Sequence, residues 1–540
     1  MAYTKHFNTK ETPQSDPIPG KQMEENNAGG FAFKIDCWSR LDRFLILGSD
    51  GGTYYVGEKK LTVDNAQGVI ECVKRDGVRA VERIVEISLA GRAPKNDPSI
   101  FALALACTFG DAKTKARAYD EIKAVCRIGT HIFQFCQCIQ DLRGWSRGLR
   151  SGVAYFYNSR TVDDLAYQMV KYQQRDGWTH RDVMRLAHPK AIDKNLAAWT
   201  VGKPFDDVTP SLPKIVEGFE LMKAMAAADP QDDIRAVKLI TEYGLPRECV
   251  PTEFLNSKSV WDALLTAHPM PLMAMIRNLG KMTNVGLLTS AFDDSVKTVF
   301  RQLIDVSILK KSRVHPLAIL VALSTYASGH GMKGKLTWTP VAKIIEALNA
   351  AFYLAFDAVE PTGKNYLLGL DVSGSMSSGN VAGSPLTPRE ASAAMAMVTA
   401  RTEPNVEMVA FSDRLVPFNI TSQDTLQAVI KRMSALDFGR TDCALPMLHA
   451  VRNKLPVDVF VVYTDSETWV GQVHPCQALK GFRSLMNRPQ AKSIVVGMTA
   501  TEFSIADPQD TGMLDVVGFD TAVPAVMAEF VKDQACAAKE

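Results

Sequence analysis

The chain lacks the features that mark membrane proteins, metal fingers and the common nucleotide hydrolases. Its longest apolar runs, around Ile100–Phe109 and Pro316–Leu323, fall short of the roughly 20 residues that cross a bilayer. The opening MAYTKHFNTKETPQ has no apolar stretch, so no secretory signal is expected and the reading is a cytoplasmic protein. Ten cysteines are scattered over 540 residues. The one close pair, Cys136 and Cys138, is separated by a single residue, tighter than paired zinc ligands usually are. Most cysteines sit in apolar text, as Cys107 does in FALALACTFG, which predicts free buried thiols in a reducing compartment. Neither a G-x-x-x-x-G-K-[ST] loop nor an H-E-x-x-H pair is present, which removes P-loop enzymes and the commonest zinc proteases. Gly48-Ser-Asp-Gly-Gly-Thr lacks the spacing of a dinucleotide fingerprint and reads as a tight turn.

Charge of one sign is also scarce. Lys and Arg number 61 against 59 Asp and Glu, for a net +2. The distribution is uneven. From Pro361 to Glu540 there are 15 basic and 19 acidic residues, which leaves 46 and 40 for residues 1–360. The N-terminal part is therefore the one suited to a polyanion, and any basic site must come from local clustering. Hydrophobic residues at 46% and charged residues at 22% are ordinary for globular domains, and the length exceeds one core.

Three regions follow from texture. Residues 1–28 are polar and read as a mobile tail. Residues 29–360 are helical in pattern, with apolar positions at three- and four-residue spacing in segments such as Pro98–Phe109, Ala112–Arg127, Val162–Arg175, Asp233–Tyr243 and Pro316–Ala327. Thr161 and Thr179 each precede an Asp by three residues, a capping-box variant. A long run of short helices without strands predicts an α-solenoid of degenerate repeats; a compact all-α domain has the same pattern. From residue 361 to 540 strands alternate with helices, and VDVFVVYT is continuously apolar, as in a parallel sheet covered on both faces. That pattern predicts a doubly wound α/β domain.

The first strand of that domain, YLLGL, runs into Asp371-Val-Ser373-Gly-Ser375. A loop carries Thr441, and VDVFVVYT ends at Thr464-Asp465. Ligands of open parallel sheets bind at the carboxyl ends of strands. Three strand-end or loop clusters thus supply oxygen donors only, two of them charged, which suits Mg²⁺ or Mn²⁺ better than Zn²⁺. D-x-S-x-S alone is also what a polar turn after a strand looks like. A phosphatase of the haloacid-dehalogenase kind would need an acid two residues after Asp371, where Ser373 stands, so no enzymatic activity is expected.

In the helical region, Lys171 to Lys190 is the most informative stretch. Lys171 and Arg175 are four apart, which would place them on one helix face. Gly177 allows a turn and Thr179 caps the next helix, where Arg181, Arg185 and His188 share one side and Val183, Met184 and Ala187 another. With Trp178 and Tyr172 beside them, these residues suit RNA phosphates and stacking; a solvated basic face reads the same way.

The constellation Asp371, Ser373, Ser375, Thr441, Asp465 resembles the metal-ion-dependent adhesion site of von Willebrand factor A domains. There the Asp, both Ser and the Thr surround one divalent cation, the second Asp acts through water, and one position stays open for a partner's carboxylate. The whole chain resembles the Ro ribonucleoprotein autoantigen family, a TROVE module followed by an A domain. The resemblance is carried by Asn26–Phe31, Arg40–Phe44, Gly48–Tyr55, Lys171–His188, Arg277–Thr283, Arg313–Pro316, Gly329–Lys335, Asp371–Ser375, Gly439–Cys443 and Tyr463–Asp465. It implies a monomeric ring of HEAT-like repeats, and the divergence points to a bacterial or phage member. It further implies a scaffold that holds small noncoding Y-like RNA on its outer surface and single-stranded ends of misfolded RNA in its hole, for quality control or turnover. An exoribonuclease is a candidate protein partner. Lys171, Arg175, His180, Arg181, Arg185 and His188 match the Y RNA segment; Arg40, Arg43, Arg147, Arg150, Lys333 and Lys335 match the cavity or its rim less closely. The competing reading is a protein adaptor whose metal site captures an acidic partner residue.

Overall fold

The computed structural model describes residues 11–48, 66–204, 211–268, 270–331, 335–356, 359–381, 384–416, 418, 420–437 and 439–533. It divides into two compact units. One comprises Met1–Val69, Arg92–Lys95 and Phe356–Glu540; the other Ile70–Gly91 and Asn96–Ala355.

The second unit is an array of helices in which neighbours pack on each other. Asp97–Phe109 lies on Gly129–Leu142, Lys214–Ala228 on Asp233–Tyr243, Asp233–Tyr243 on Lys258–Thr266, and Pro316–Ser328 on Ala342–Leu354. Local chemistry sets the ends. Thr161 accepts from the Asp164 amide, and Thr179 and Asp182 form a reciprocal capping box. Gly202, Gly244 and Gly329 close helices in the left-handed conformation.

Two expected helices are shorter than their apolar pattern. Ala112–Arg127 divides at Glu121 into Ala112–Asp120 and Ile122–Val125. Val162–Arg175 stops at Lys171, and Gln174–Arg175 pairs antiparallel with Trp178–Thr179. Asp176 and Gly177 link these strands with φ of 52° and 79°. Two consecutive positive φ values in a two-residue loop match the right-handed twist of a hairpin, and Asp-Gly is among the dipeptides that adopt them readily.

The first unit contains the six-stranded sheet. Strand Asn365–Asp371 lies between Asn405–Phe411 and Val459–Thr464, parallel to both. Lys492–Gly497 and Met513–Val517 continue the parallel side, and Leu415–Val416 forms an antiparallel edge. Helices Pro388–Thr402 and Leu445–Arg452 both pack on the first strand, and all of Val459–Thr464 is buried. The chain leaves the first strand toward one edge and returns on its other side, so the crevice lies at Asp371.

The expectation of a mobile tail over residues 1–28 is corrected from Glu11 onward; residues 1–10 lie outside the described residues. Phe31–Lys34 pairs with Phe503–Ser504, and Phe33 enters the core beside Leu367 and Phe460. Gln14 is buried, donating to Asp442 Oδ1 at 2.8 Å and to the Val473 carbonyl at 2.8 Å. By their contacts residues 11–48 group with the α/β unit. A polar stretch whose amides find buried partners more than 400 residues away has the composition of a tail without being one.

The nine cysteines among the described residues are free, and all but Cys138 are buried. No helix among the described residues is long and apolar enough to cross a membrane.

Candidate functional site

Asp371 ends the central strand with no exposed surface. Its Oδ1 accepts from the Ser373 amide at 2.9 Å and its Oδ2 from the Thr464 hydroxyl at 2.6 Å. The Ser373 and Ser375 hydroxyls are 3.0 Å apart, and Thr441 and Asp465 are buried with them. Asp465 Oδ1 accepts from the Glu467 amide at 3.0 Å, while its Oδ2 is buried without a partner. Burial, and then the Asp465 carboxylate, hold Asp371 well above the usual carboxylate range; burial raises Asp465 as well. Two buried carboxylates and three hydroxyls, with one carboxylate oxygen orphaned, form a donor set that fits a hard divalent cation. Among the described residues no group of three His, Cys, Asp or Glu converges, so the hydroxyls are indispensable to any such cation.

The N-terminal segment grips the loop that carries Asp465. Asn26 donates to the Thr468 carbonyl at 2.8 Å, Asn27 to Glu467 at 2.6 Å, and the Ala28 amide to Glu467 at 3.2 Å. Gly30 passes so close that a Cβ there would meet the Thr468 carbonyl oxygen at 2.0 Å. Burial and the neighbouring Asp465 raise Glu467 to about 7.

In the helical unit, helix His180–Ala187 buries Val183, Met184 and Ala187 and exposes Arg181 and Arg185, with exposed His188 capping it in the left-handed conformation. Arg181 and His188 have no hydrogen-bond or ion-pair partner among the described residues. Arg175 is exposed on the hairpin, 3.5 Å from Asp176.

Comparison with known proteins matches the TROVE domain model over residues 24–209 and 237–325 and the Ro60 vWA domain model over 365–531. The chain is 43% identical to the RNA-binding protein RO60 of Deinococcus radiodurans over 536 residues, covering 98% of each. The chain belongs to the Ro60 family. The RNA-binding protein RO60 of Caenorhabditis elegans is 38% identical over 592 residues, covering 96% of this chain and 91% of that protein. The crystal structure of the Deinococcus radiodurans Ro (RSR) protein superposes with a TM-score of 0.69 at 42% identity, covering 92% of this chain and 99% of that one. The helical unit is thus the main body of a TROVE domain, and residues 365–531 of the sheet unit are a von Willebrand factor A domain of the Ro60 type, while the TROVE match from residue 24 begins inside the sheet unit.

Within that Ro60 frame, the site residues read from the sequence divide. Asp371, Ser373, Ser375 and Asp465 lie buried at or just beyond strand ends of the A domain, and Thr441 lies buried in the loop before helix Leu445–Arg452. Arg175, Arg181, Arg185 and His188 are exposed on the TROVE unit, as are Arg147, Arg150 and Lys335; Lys333 lies outside the described residues. Four expectations are corrected. Arg175 does not share a helix face with Lys171, because the hairpin intervenes. Lys171 is 9% exposed, its ammonium 2.9 Å from the Tyr167 hydroxyl and 5.1 Å from that ring's centre. His180 is core: Nε2 donates to the Gln168 carbonyl at 3.3 Å, so Nδ1 accepts from the Tyr157 hydroxyl at 2.9 Å. Burial lowers its pKa to about 4, which leaves a neutral ring with no charge for a phosphate. Arg40 and Arg43 sit in the A-domain unit, held by Glu502 and Asp515. The sequence reading passed over Gln14, whose partners lie in distant loops, and the Asp176-Gly177 hairpin, whose dipeptide was a usable signal.

Proposed function

We propose that this chain is a non-enzymatic RNA-binding scaffold of a ribonucleoprotein. Structured small noncoding RNA of the Y type docks on the basic face of the TROVE unit, and single-stranded ends of defective RNA are taken up elsewhere on that unit for turnover. The observation that carries this reading is the outward face of helix His180–Ala187. There two arginines and a histidine are solvent-facing, two of the three without a protein partner, while the opposite side is committed to the core. Unpaired surface cations are what phosphate neutralisation requires. Gel-shift titration with a Y-like hairpin tests it; salt-independent or absent binding refutes it.

In the same reading, Asp371, Ser373, Ser375 and Thr441 hold one Mg²⁺ or Mn²⁺, with Asp465 acting through water, and the cation offers a position to a partner's carboxylate. The adaptor role is compatible with RNA binding because the donors and the basic face lie on different units. Asp371→Ala should lower cation affinity by at least about a hundredfold, since it removes the charged direct ligand, and leave RNA binding intact. Calorimetry showing unchanged affinity would sink the assignment. The purified protein should leave RNA and nucleotides intact in Mg²⁺; turnover abolished by Asp465→Ala would make the chain a metal-dependent hydrolase and overturn the non-enzymatic reading.

The raised carboxyl pKa values add a pH signature. Without cation, the folded state keeps a proton that an unfolded Asp has already released above about 3.8. Stability of the cation-free A domain should therefore fall as pH rises from that value to the raised one. Cation binding should release protons and tighten over the same window. Calorimetry in two buffers of different ionisation enthalpy measures the release; a pH-independent affinity with no proton exchanged contradicts it.

A further inference from the structure

We propose that a cleft in the TROVE unit is a pocket for one unpaired nucleotide of a bound RNA, with guanosine preferred; this rests on the RNA-binding reading above. The cleft has a volume of about 660 Å³, within the usual range of small-molecule sites. Five segments converge on it: the end of helix Val162–Lys171, the start of His180–Ala187, the end of Lys194–Val201, the face of Lys214–Ala228 and the loop Arg247–Leu255.

Its chemistry is that of a nucleotide. Trp199 lines the cleft, half-buried, with Nε1 committed to Glu220 at 3.2 Å and Phe219 edge-on at 6.4 Å between ring centres. An indole whose N–H is already used offers a stacking surface and no donor. Three cations line the same space: Arg181, Lys223 and Arg247. Lys223 is shared with Glu220, but Arg247 has a buried Nε with no hydrogen-bond partner. A buried guanidinium N–H without an acceptor calls for one, and phosphate matches the guanidinium fork. Arg181 belongs both to the exposed basic face and to the cleft. A strand whose phosphates lie on Arg181 and Arg185 therefore brings its next nucleotide to the cleft mouth.

Glu248 supplies the selectivity. It lines the cleft, is exposed, and has no partner among the described residues. A carboxylate only accepts hydrogen bonds. Guanine alone presents two N–H donors side by side on its Watson–Crick edge. Adenine and cytosine place a ring acceptor next to their amino group, and uracil sets one N–H between two carbonyls, so each meets the carboxylate with repulsion.

The test uses the full chain and fluorescence anisotropy on a fully paired RNA hairpin and on the same hairpin with one bulged G, A, C or U. Stacking on one aromatic side chain implies that the G-bulged hairpin binds about tenfold tighter than the paired one, and the other bulges clearly less so. Trp199→Leu and Arg247→Met should erase the advantage and leave the paired hairpin unaffected. Glu248→Gln, at an exposed position that cannot upset folding, should level the four bases. If wild type binds paired and bulged hairpins equally, the pocket is refuted while RNA binding stands. If it binds no hairpin, guanosine 5′-monophosphate is titrated against wild type and Trp199→Leu. A tryptophan emission change present only in wild type keeps the pocket and rejects the docking face; no change rejects both.

Discussion

Arg181→Glu combined with Arg185→Glu should weaken structured RNA binding by about a hundredfold or more and flatten its salt dependence. Each lost phosphate contact removes a released counterion, and each new carboxylate repels the backbone it replaces a contact with. The fold should survive, for local reasons. Val183, Met184 and Ala187 still fill the buried side, and the Thr179–Asp182 capping box is untouched. A glutamate at position 181 lies in the first helical turn, where negative charge is favoured; at 185 it opposes the dipole by about 0.3–1 kcal/mol. Arg185 gives up only a 3.5 Å contact to the Val201 carbonyl. Circular dichroism should thus match wild type while anisotropy titrations at several salt concentrations diverge. Equal affinity with an equal slope would make the face a solvated one and remove the best residues of the RNA reading. His180 separates the two kinds of role, because any effect of replacing this neutral, buried ring should appear in thermal unfolding first.

The A domain was readable because its signals are contiguous. The strand VFVVYT is buried on both faces as its unbroken apolar run requires, and the donors follow strands directly in the text, so Asp371 and Asp465 fall at strand ends. Helix His180–Ala187 was readable from its three- and four-residue spacing and its capping residue. What stayed hidden depends on distant partners. Gln14 and Asn26 look like tail residues until Asp442 and Thr468 come beside them. Gln173-Gln174-Arg175 has ordinary helix propensity, and pairing across Asp176-Gly177 overrides it. The cleft residues Trp199, Arg247 and Glu248 come from separate segments with no shared spacing, so no periodicity could join them. Burial of a basic residue is the hardest to read, since Arg40, Arg43 and Arg181 carry the same letter.

Arg43→Met should destabilise the A-domain unit by about 3 kcal/mol, the lower end of the cost of stranding one member of a buried ion pair, because 19% of the Asp515 side chain is exposed. The guanidinium is 2% exposed and both of its terminal nitrogens are engaged. Its Nη2 donates to both Asp515 oxygens at 2.8 and 2.7 Å, and its Nη1 to the Thr501 carbonyl at 2.8 Å, the Thr501 hydroxyl at 3.0 Å and the Phe503 carbonyl at 3.2 Å. One side chain thereby ties helix Cys37–Leu47 to strand Met513–Val517 and to the strand that pairs with Phe31–Lys34. Methionine fills much of the volume but leaves Asp515 with only the Ser504 hydroxyl, takes the guanidinium donor from the Thr501 carbonyl, and leaves the Phe503 carbonyl with the Thr501 hydroxyl at 3.3 Å. Urea unfolding should show an earlier transition for this unit. The TROVE unit should unfold as before, and the folded variant should bind RNA within about twofold of wild type, because the partners of the Arg43 side chain, Asp515, Thr501 and Phe503, all belong to the A-domain unit. Adding Asp515→Leu should recover part of the loss, because an apolar pair carries no stranded charge. A variant as stable as wild type that has lost RNA affinity would return Arg43 to the RNA-binding surface and overturn its structural role.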